Sequence, residues 1–221
     1  MKYSAAIDLS GKFAGFALAE SESKKIILTD HKAMQGRSSS SLCDWLMELI
    51  KKAGASVEDI DYWTVGSGPG SFTGMRLVAA LVTGISLGRD NIKTRCVPTA
   101  LTLADSQDFN DGNKIAALFD GRNQEILLFE LINKSGEIIP SGKTEVLNKE
   151  QAADYFANNT YSQIVALEYD SVNIEKVVPE SLFAQIVWKE FPAYDKLISC
   201  SYKDYDNDLT DLVYIRPAVF S

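Results

Sequence analysis

Residues Lys2–Glu20 read KYSAAIDLSGKFAGFALAE, and half a chain later Lys114–Leu131 read KIAALFDGRNQEILLFEL. In each, an apolar run ends in an aspartate, Asp8 or Asp120, a polar turn follows, and a second apolar run returns. Apolar runs bounded by such turns read as the two strands of a hairpin. A third strand candidate follows each copy, KKIILTD (24–30) or EIIPSGKTEVL (137–147), and helix-like sequence comes after it. A shared order of elements at half-chain spacing predicts a duplicated α/β protein of two β-β-β-α-β-α lobes. The polar stretch DSQDFNDGN places the boundary near Gln107, giving lobes at 1–107 and 108–221, with the last residues expected to pack back on the first lobe.

Within the first lobe, SSSSLCDWLMELIKKAG (38–54) carries Leu42, Trp45, Leu46, Leu49 and Ala53 at helical spacing. Ser41 with Asp44 resembles a capping box, and Gly54 can take the left-handed stop. IDYWTVGSG (60–68) reads as a strand and NIKTRCV (91–97) as another, with PTALTLADSQ (98–107) expected to form a helix from Pro98. In the second lobe, NKEQAADYFANN (148–159) predicts a helix, SQIVALEY (162–169) a buried strand, and PESLFAQIVWKEF (179–191) a further amphipathic helix.

Between the first lobe's strands lies VGSGPGSFTGMRLVAALVTGISLG (65–88), a glycine-rich loop entering an apolar helix. A phosphate-cradling loop of the G-x-x-x-x-G-K-[ST] type needs its lysine, and here Gly74 is followed by Met75 and Arg76. The dinucleotide pattern G-x-G-x-x-G fails as well, at Ser71 and at Thr73. Helix-start amides could still bind an anion, and Ser71 or Thr73 could equally cap them from within; the missing lysine favours capping. In the helix, Met75, Leu77, Val78, Leu81, Val82, Ile85 and Leu87 fall on every side, so it is expected to be covered on every side. The cover could be the second lobe or a partner chain, and we favour a partner, with Cys43 and Met47 giving the preceding helix a similar second face.

The whole-chain balance narrows the function. The 221 residues carry a net charge of -8 with scattered basic residues, which argues against unaided nucleic-acid binding. The three cysteines show no C-x-x-C spacing, which fits a reducing compartment. The single histidine, His31, excludes any two-histidine metal site, and it reads as a surface strand end. No apolar run reaches the length of a membrane span, Asp8 interrupts the first one, and the chain is expected to be cytoplasmic.

The stretch GSGPGSFTGMRLVAALVTGISLG resembles the motif of the TsaB (YeaZ) family, and AAIDLS, VPTALTLA, LFDGRNQEILL and LVYIRP follow in that family's order across nearly the whole chain. Gly121 and Leu127 depart from its D-A-R-x-x-E-V-Y pattern, and serines Ser38–Ser41 stand where it often has a histidine. The resemblance implies a duplicated actin-like, ribonuclease-H-like fold. It implies a part in making N6-threonylcarbamoyladenosine at position 37 of tRNA, as the non-catalytic partner of a metal-bearing TsaD subunit with a TsaE ATPase. It implies docking through the first two helices, so Trp45, Met47, Met75, Val78, Leu81, Val82 and Ile85 are the partner-binding candidates, with homodimerisation by a similar surface. No catalytic residue, metal or cofactor of its own is expected, and tRNA is reached only through the complex. The alternative is a small kinase of the actin-like superfamily, with Asp8, Ser10 and Asp120 near a magnesium nucleotide. A metal-dependent glycoprotease, a label carried by relatives, conflicts with the single histidine.

Overall fold

The computed structural model describes residues 2–34, 41–104 and 110–215. The first hairpin forms as β1 (Tyr3–Asp8) and β2 (Phe13–Glu20), followed by β3 (Ile26–Ala33), α1 (Leu42–Lys52), β4 (Ile60–Gly66), α2 (Phe72–Ser86) and β5 (Lys93–Val97). The second copy gives β6 (Lys114–Arg122), β7 (Glu125–Lys134), β8 (Glu137–Asn148), α3 (Lys149–Asn158), β9 (Gln163–Leu167), the short helices α4 (Ser171–Glu175) and α5 (Glu180–Phe183), β10 (Ile186–Lys189) and α6 (Asp195–Ser199). Each sheet has five strands, in the orders β3-β2-β1-β4-β5 and β8-β7-β6-β9-β10. In both, the first three strands are antiparallel and the last two run parallel to the central one, so the repeat seen in the sequence is a repeat of topology.

The compact units are Met1–Thr102 with Ala193–Val213, and Leu103–Pro192 with Tyr214–Ser221. The polar stretch around Gln107 lies outside the described residues, as do Ser38–Ser40.

Strand alternation organises the first unit. Tyr3, Ala5 and Ile7 of β1 and Ala14, Phe16 and Leu18 of β2 join one core with Leu42, Trp45, Leu46, Leu49 and Ile50 of α1 and Val78 and Val82 of α2. Each fully buried large side chain there contributes about 1.5–3 kcal/mol. On the alternate face α6 packs over β1, β2 and β4, and a Cβ at Gly15 would collide with the Tyr194 ring. The second unit repeats the first core: Leu118, Ile126, Leu128, Ala152, Ile164 and Ile186 cluster together.

Three expectations need correcting. The predicted helix at 179–191 is one short turn, α5, followed by β10, because Ile186-Val187-Trp188 completes the second sheet in parallel with β9. The helix expected after Pro98 is a 3₁₀ turn over Thr99–Thr102 among the described residues. Ser41 precedes α1 without a capping bond from its side chain. Gly54 does take a positive φ, 75°, just after α1.

Candidate functional site

The glycine loop connects the carboxyl end of β4 to α2, beside the end of β1 where Asp8 sits. Several of its amides are turned inward. Gly68 N–H donates to Thr99 Oγ1 (3.2 Å), Ser71 N–H to the Ser10 carbonyl (2.7 Å), and Thr99 N–H returns to the Gly68 carbonyl (2.7 Å). Ser71 is the N-cap of α2, its hydroxyl accepting from Gly74 N–H at 3.2 Å. Among the two alternatives the sequence left open, this is the internal cap. The Gly68–Pro69 peptide is cis.

Two glycines are there for close approach. A Cβ at Gly70 would overlap the Ser10 carbonyl, and one at Gly74 the Leu9 carbonyl. The loop and the first turn of α2 are therefore pressed against the backbone of the turn after β1.

Beneath them Asp8 is 1% exposed. Its Oδ1 accepts from the Thr99 hydroxyl (2.9 Å) and from Ser10 N–H (3.3 Å), and its Oδ2 from the Ser10 hydroxyl (3.0 Å). Burial pushes the carboxyl up to about 6, while the bonds from Thr99 and Ser10 pull it the other way. Burial disfavours the charged form, and the donors recover only part of that cost. Both carboxyl oxygens are engaged within the protein, so Asp8 with Ser10 and Thr99 ties the turn, the loop and the segment after β5 together. Thr99 was missed in the sequence because PTALTLA reads as helix; the only hint was a hydroxyl residue directly after Pro98.

Asp120 holds the matching position in the second unit. It accepts from Arg122 N–H (2.8 Å) as Asp8 does from Ser10 N–H, two residues on in each case. Its other oxygen accepts from Asn173 Nδ2 at 2.9 Å, and unlike Asp8 it is half-buried. Of the three nucleotide candidates, Asp8 and Ser10 share one network in the first unit, and Asp120 belongs to the second unit. Among the described residues no three His, Cys, Asp or Glu side chains come together as a metal-ligand set.

The partner-binding candidates divide by burial. Trp45, Met75, Val78 and Val82 are buried within the first unit. Helical spacing reveals an apolar stripe, but the sheet beneath α1 and α2 decides which part of it faces inward. Leu81 and Ile85 are half-buried against that core, and Met47 is 50% exposed. The outward face of α2 consists of Thr73, Arg76, Ala80, Thr83 and Gly84, with Leu87, at 81% exposure, just beyond it. Arg76 is the one charged residue of the fifteen in α2.

The family model described as TsaD, tRNA N6-adenosine threonylcarbamoyltransferase, matches residues 32–183. A similar protein is the tRNA threonylcarbamoyladenosine biosynthesis protein TsaB of Escherichia coli (strain K12), 28% identical over 107 residues, 48% of this chain and 46% of that protein. The match spans about half of that relative's length. Two solved structures share the fold. One, an uncharacterized protein with similarity to peptidase YEAZ from Pseudomonas aeruginosa, has 21% identity, covers 98% of this chain and all of the other, and has a TM-score of 0.70. YeaZ from Pseudomonas aeruginosa has 20% identity, covers 90% of each chain and has a TM-score of 0.67. The paired sheets and these neighbours make the architecture a duplicated actin-like fold. With the family model matched over more than half of its length, the chain belongs to the tRNA N6-adenosine threonylcarbamoyltransferase (TsaD) family.

Proposed function

We propose that this chain is a non-catalytic subunit in the formation of N6-threonylcarbamoyladenosine at adenosine 37 of tRNA, docking on a TsaD-like catalytic subunit in the cytoplasm. A TsaE-like ATPase completes the assembly, tRNA is contacted through the complex, and the isolated chain pairs with itself by the same face. The name of the similar protein, a tRNA threonylcarbamoyladenosine biosynthesis protein, supports the pathway. The observation that carries the subunit role is the inward-turned loop. The Gly68, Ser71 and Gly74 amides and the Asp8 carboxyl are engaged in internal bonds, and the loop leads into a helix whose outward face is mostly small side chains.

Close packing of helix on helix needs small side chains at the contact. Ala80, Thr83 and Gly84 supply them, with the exposed Leu87 just beyond the helix. A face dominated by small side chains is suited to burial against another helix pair.

The test places charge on the outward face alone. Ala80→Glu and Thr83→Glu should abolish co-purification with the TsaD-like subunit of the same organism, a cost of several kcal/mol at a desolvated contact. Their melting should match wild type within about 0.5 kcal/mol. Intact complex formation by both variants would refute docking by α2. The pathway is tested separately by deleting the gene and measuring threonylcarbamoyladenosine in digested tRNA, where normal levels would overturn it. For the kinase alternative, calorimetry with magnesium ATP is decisive, since a heat of binding lost in Asp120→Ala would favour that reading.

A further inference from the structure

We propose that residues 203–213 form a latched strap that closes the β5 edge of the first sheet and, through Val213, holds the glycine loop in place. The inference stands apart from the docking role.

An edge strand leaves a row of backbone donors and acceptors open to any other strand, and proteins cover or block such edges. The β5 edge is covered from three directions by one segment that lies far from it in sequence. At the edge itself, Thr94 N–H donates to Asn207 Oδ1 (2.9 Å) and the Thr94 carbonyl accepts from Asn207 N–H (2.9 Å). Asn207 reaches both groups from a positive φ of 62°. On the α6 face, Tyr205 stacks under Arg95 at 4.4 Å, contacts Tyr62 edge-on at 5.0 Å, and lies 3.3 Å from the Thr64 hydroxyl. On the opposite face, Leu209 and Leu212 pack against the core shared by α1 and α2. The segment thus wraps around the sheet edge.

Arg95 is the latch. Arg95 is 4% exposed, and its guanidinium donates to neutral oxygens: Nε to Thr64 Oγ1 (3.1 Å), Nη1 to the Lys203 carbonyl (2.6 Å), and Nη2 to the carbonyls of Leu197 (3.0 Å) and Ile198 (2.9 Å). The last two belong to the final turn of α6, where a cation complements the helix end. One side chain of β5 therefore holds both α6 and the start of the strap. A buried cation whose acceptors are lost is strongly destabilising, so the latch is set only when the whole segment is in place.

The strap is also closed upon itself. Lys203 Nζ bonds Asp206 (2.8 Å) and Asp211 (2.9 Å), and Asp208 turns the chain by accepting from Thr210 N–H (2.8 Å). Its far end reaches the functional loop. Val213 N–H donates to the Ser67 carbonyl (2.9 Å), and Ser67 N–H donates in turn to the Val97 carbonyl (2.8 Å) at the end of β5. Ser67 adjoins Gly68, whose amide is bound to Thr99 of the Asp8 network. Strap, β5 edge and loop form one hydrogen-bonded unit.

Hydrogen exchange on the full chain, followed by mass spectrometry or NMR, tests this. In the wild type the amides of Thr94, the strap and loop residues 66–71 are expected to open together, faster than β1 and β2. Arg95→Gln should raise that common rate roughly tenfold or more, and the milder Asn207→Ala, at an exposed position, several-fold. Loop amides that keep their wild-type rate while the strap's rises would overturn the coupling. An unchanged Thr94 rate in Asn207→Ala would overturn the closed edge, and that variant keeps the test open should Arg95→Gln fail to fold.

Discussion

Replacing Asp8 with asparagine should remove a component of the pH dependence of stability that runs against the usual carboxylate behaviour. Burial lifts the folded-state carboxyl from 3.8 to about 6. As pH falls through about 6 the folded protein takes up a proton at Asp8, whereas the unfolded chain does so only near 4. Between those values the folded state binds more protons, so this group adds stability on acidification and withholds it at neutral pH. A difference of about two in pKa corresponds to about 3 kcal/mol. Asparagine does not titrate, and its Oδ1 can still accept from Thr99 and from the Ser10 amide; the lost acceptor for the Ser10 hydroxyl is a constant offset. Other carboxylates titrate in the same window, so the informative quantity is the difference between the two proteins. Urea unfolding of both at intervals from pH 4 to 8 should show wild type gaining about 2.5 kcal/mol on Asp8→Asn between pH 7 and 4, most of the full difference. Parallel curves would refute the reasoning, because they would mean that Asp8 is not held protonation-sensitive by its burial.

Further outcomes follow from the same geometry. Thr99→Val removes the donor that pulls Asp8 down, so the difference curve should move to higher pH, with about 1–3 kcal/mol of stability lost in urea unfolding. Gly74→Ala should cost about 1–3 kcal/mol because its Cβ meets the Leu9 carbonyl, whereas Gly84→Ala, open on its outer side, should gain about 0.5–1 kcal/mol; paired urea curves separate them. Met75→Asp, on the buried side of the first turn of α2, should lose the cooperative thermal transition altogether, which makes it a folding variant and not an interface variant. A thiol reagent should label the exposed Cys43 in the native protein and reach Cys96, buried and pushed up to about 12, only after denaturation.

Much of the fold was legible because it rests on short-range pattern. Two hairpins ending in Asp8 and Asp120 announced the duplication, and the same Asx-type bond from each aspartate to the amide two residues on shows that the likeness is physical. The stripe of α1 and the absence of a phosphate-loop lysine were equally plain. The site was less so. Whether Val78 or Ala80 faces outward depends on how α2 lies on its sheet, and an apolar helix carries no polar stripe to mark its orientation. β10 was read as helix because a run such as Ile186-Val187-Trp188 has no period of its own until β9 offers it a hydrogen-bonding edge.

By itself, then, the sequence determined the strand-turn-strand repeat, the helix that follows the glycine loop and the exclusion of histidine metal chemistry, all matters of residue type and local spacing. Only the tertiary structure decided that Thr99 closes the Asp8 network, that four of the expected docking residues are core, and that Arg95 recruits residues 193–213 to the first unit. Those outcomes join segments roughly a hundred residues apart, and their energy comes from burial and hydrogen bonding that exist only once the chain has closed on itself.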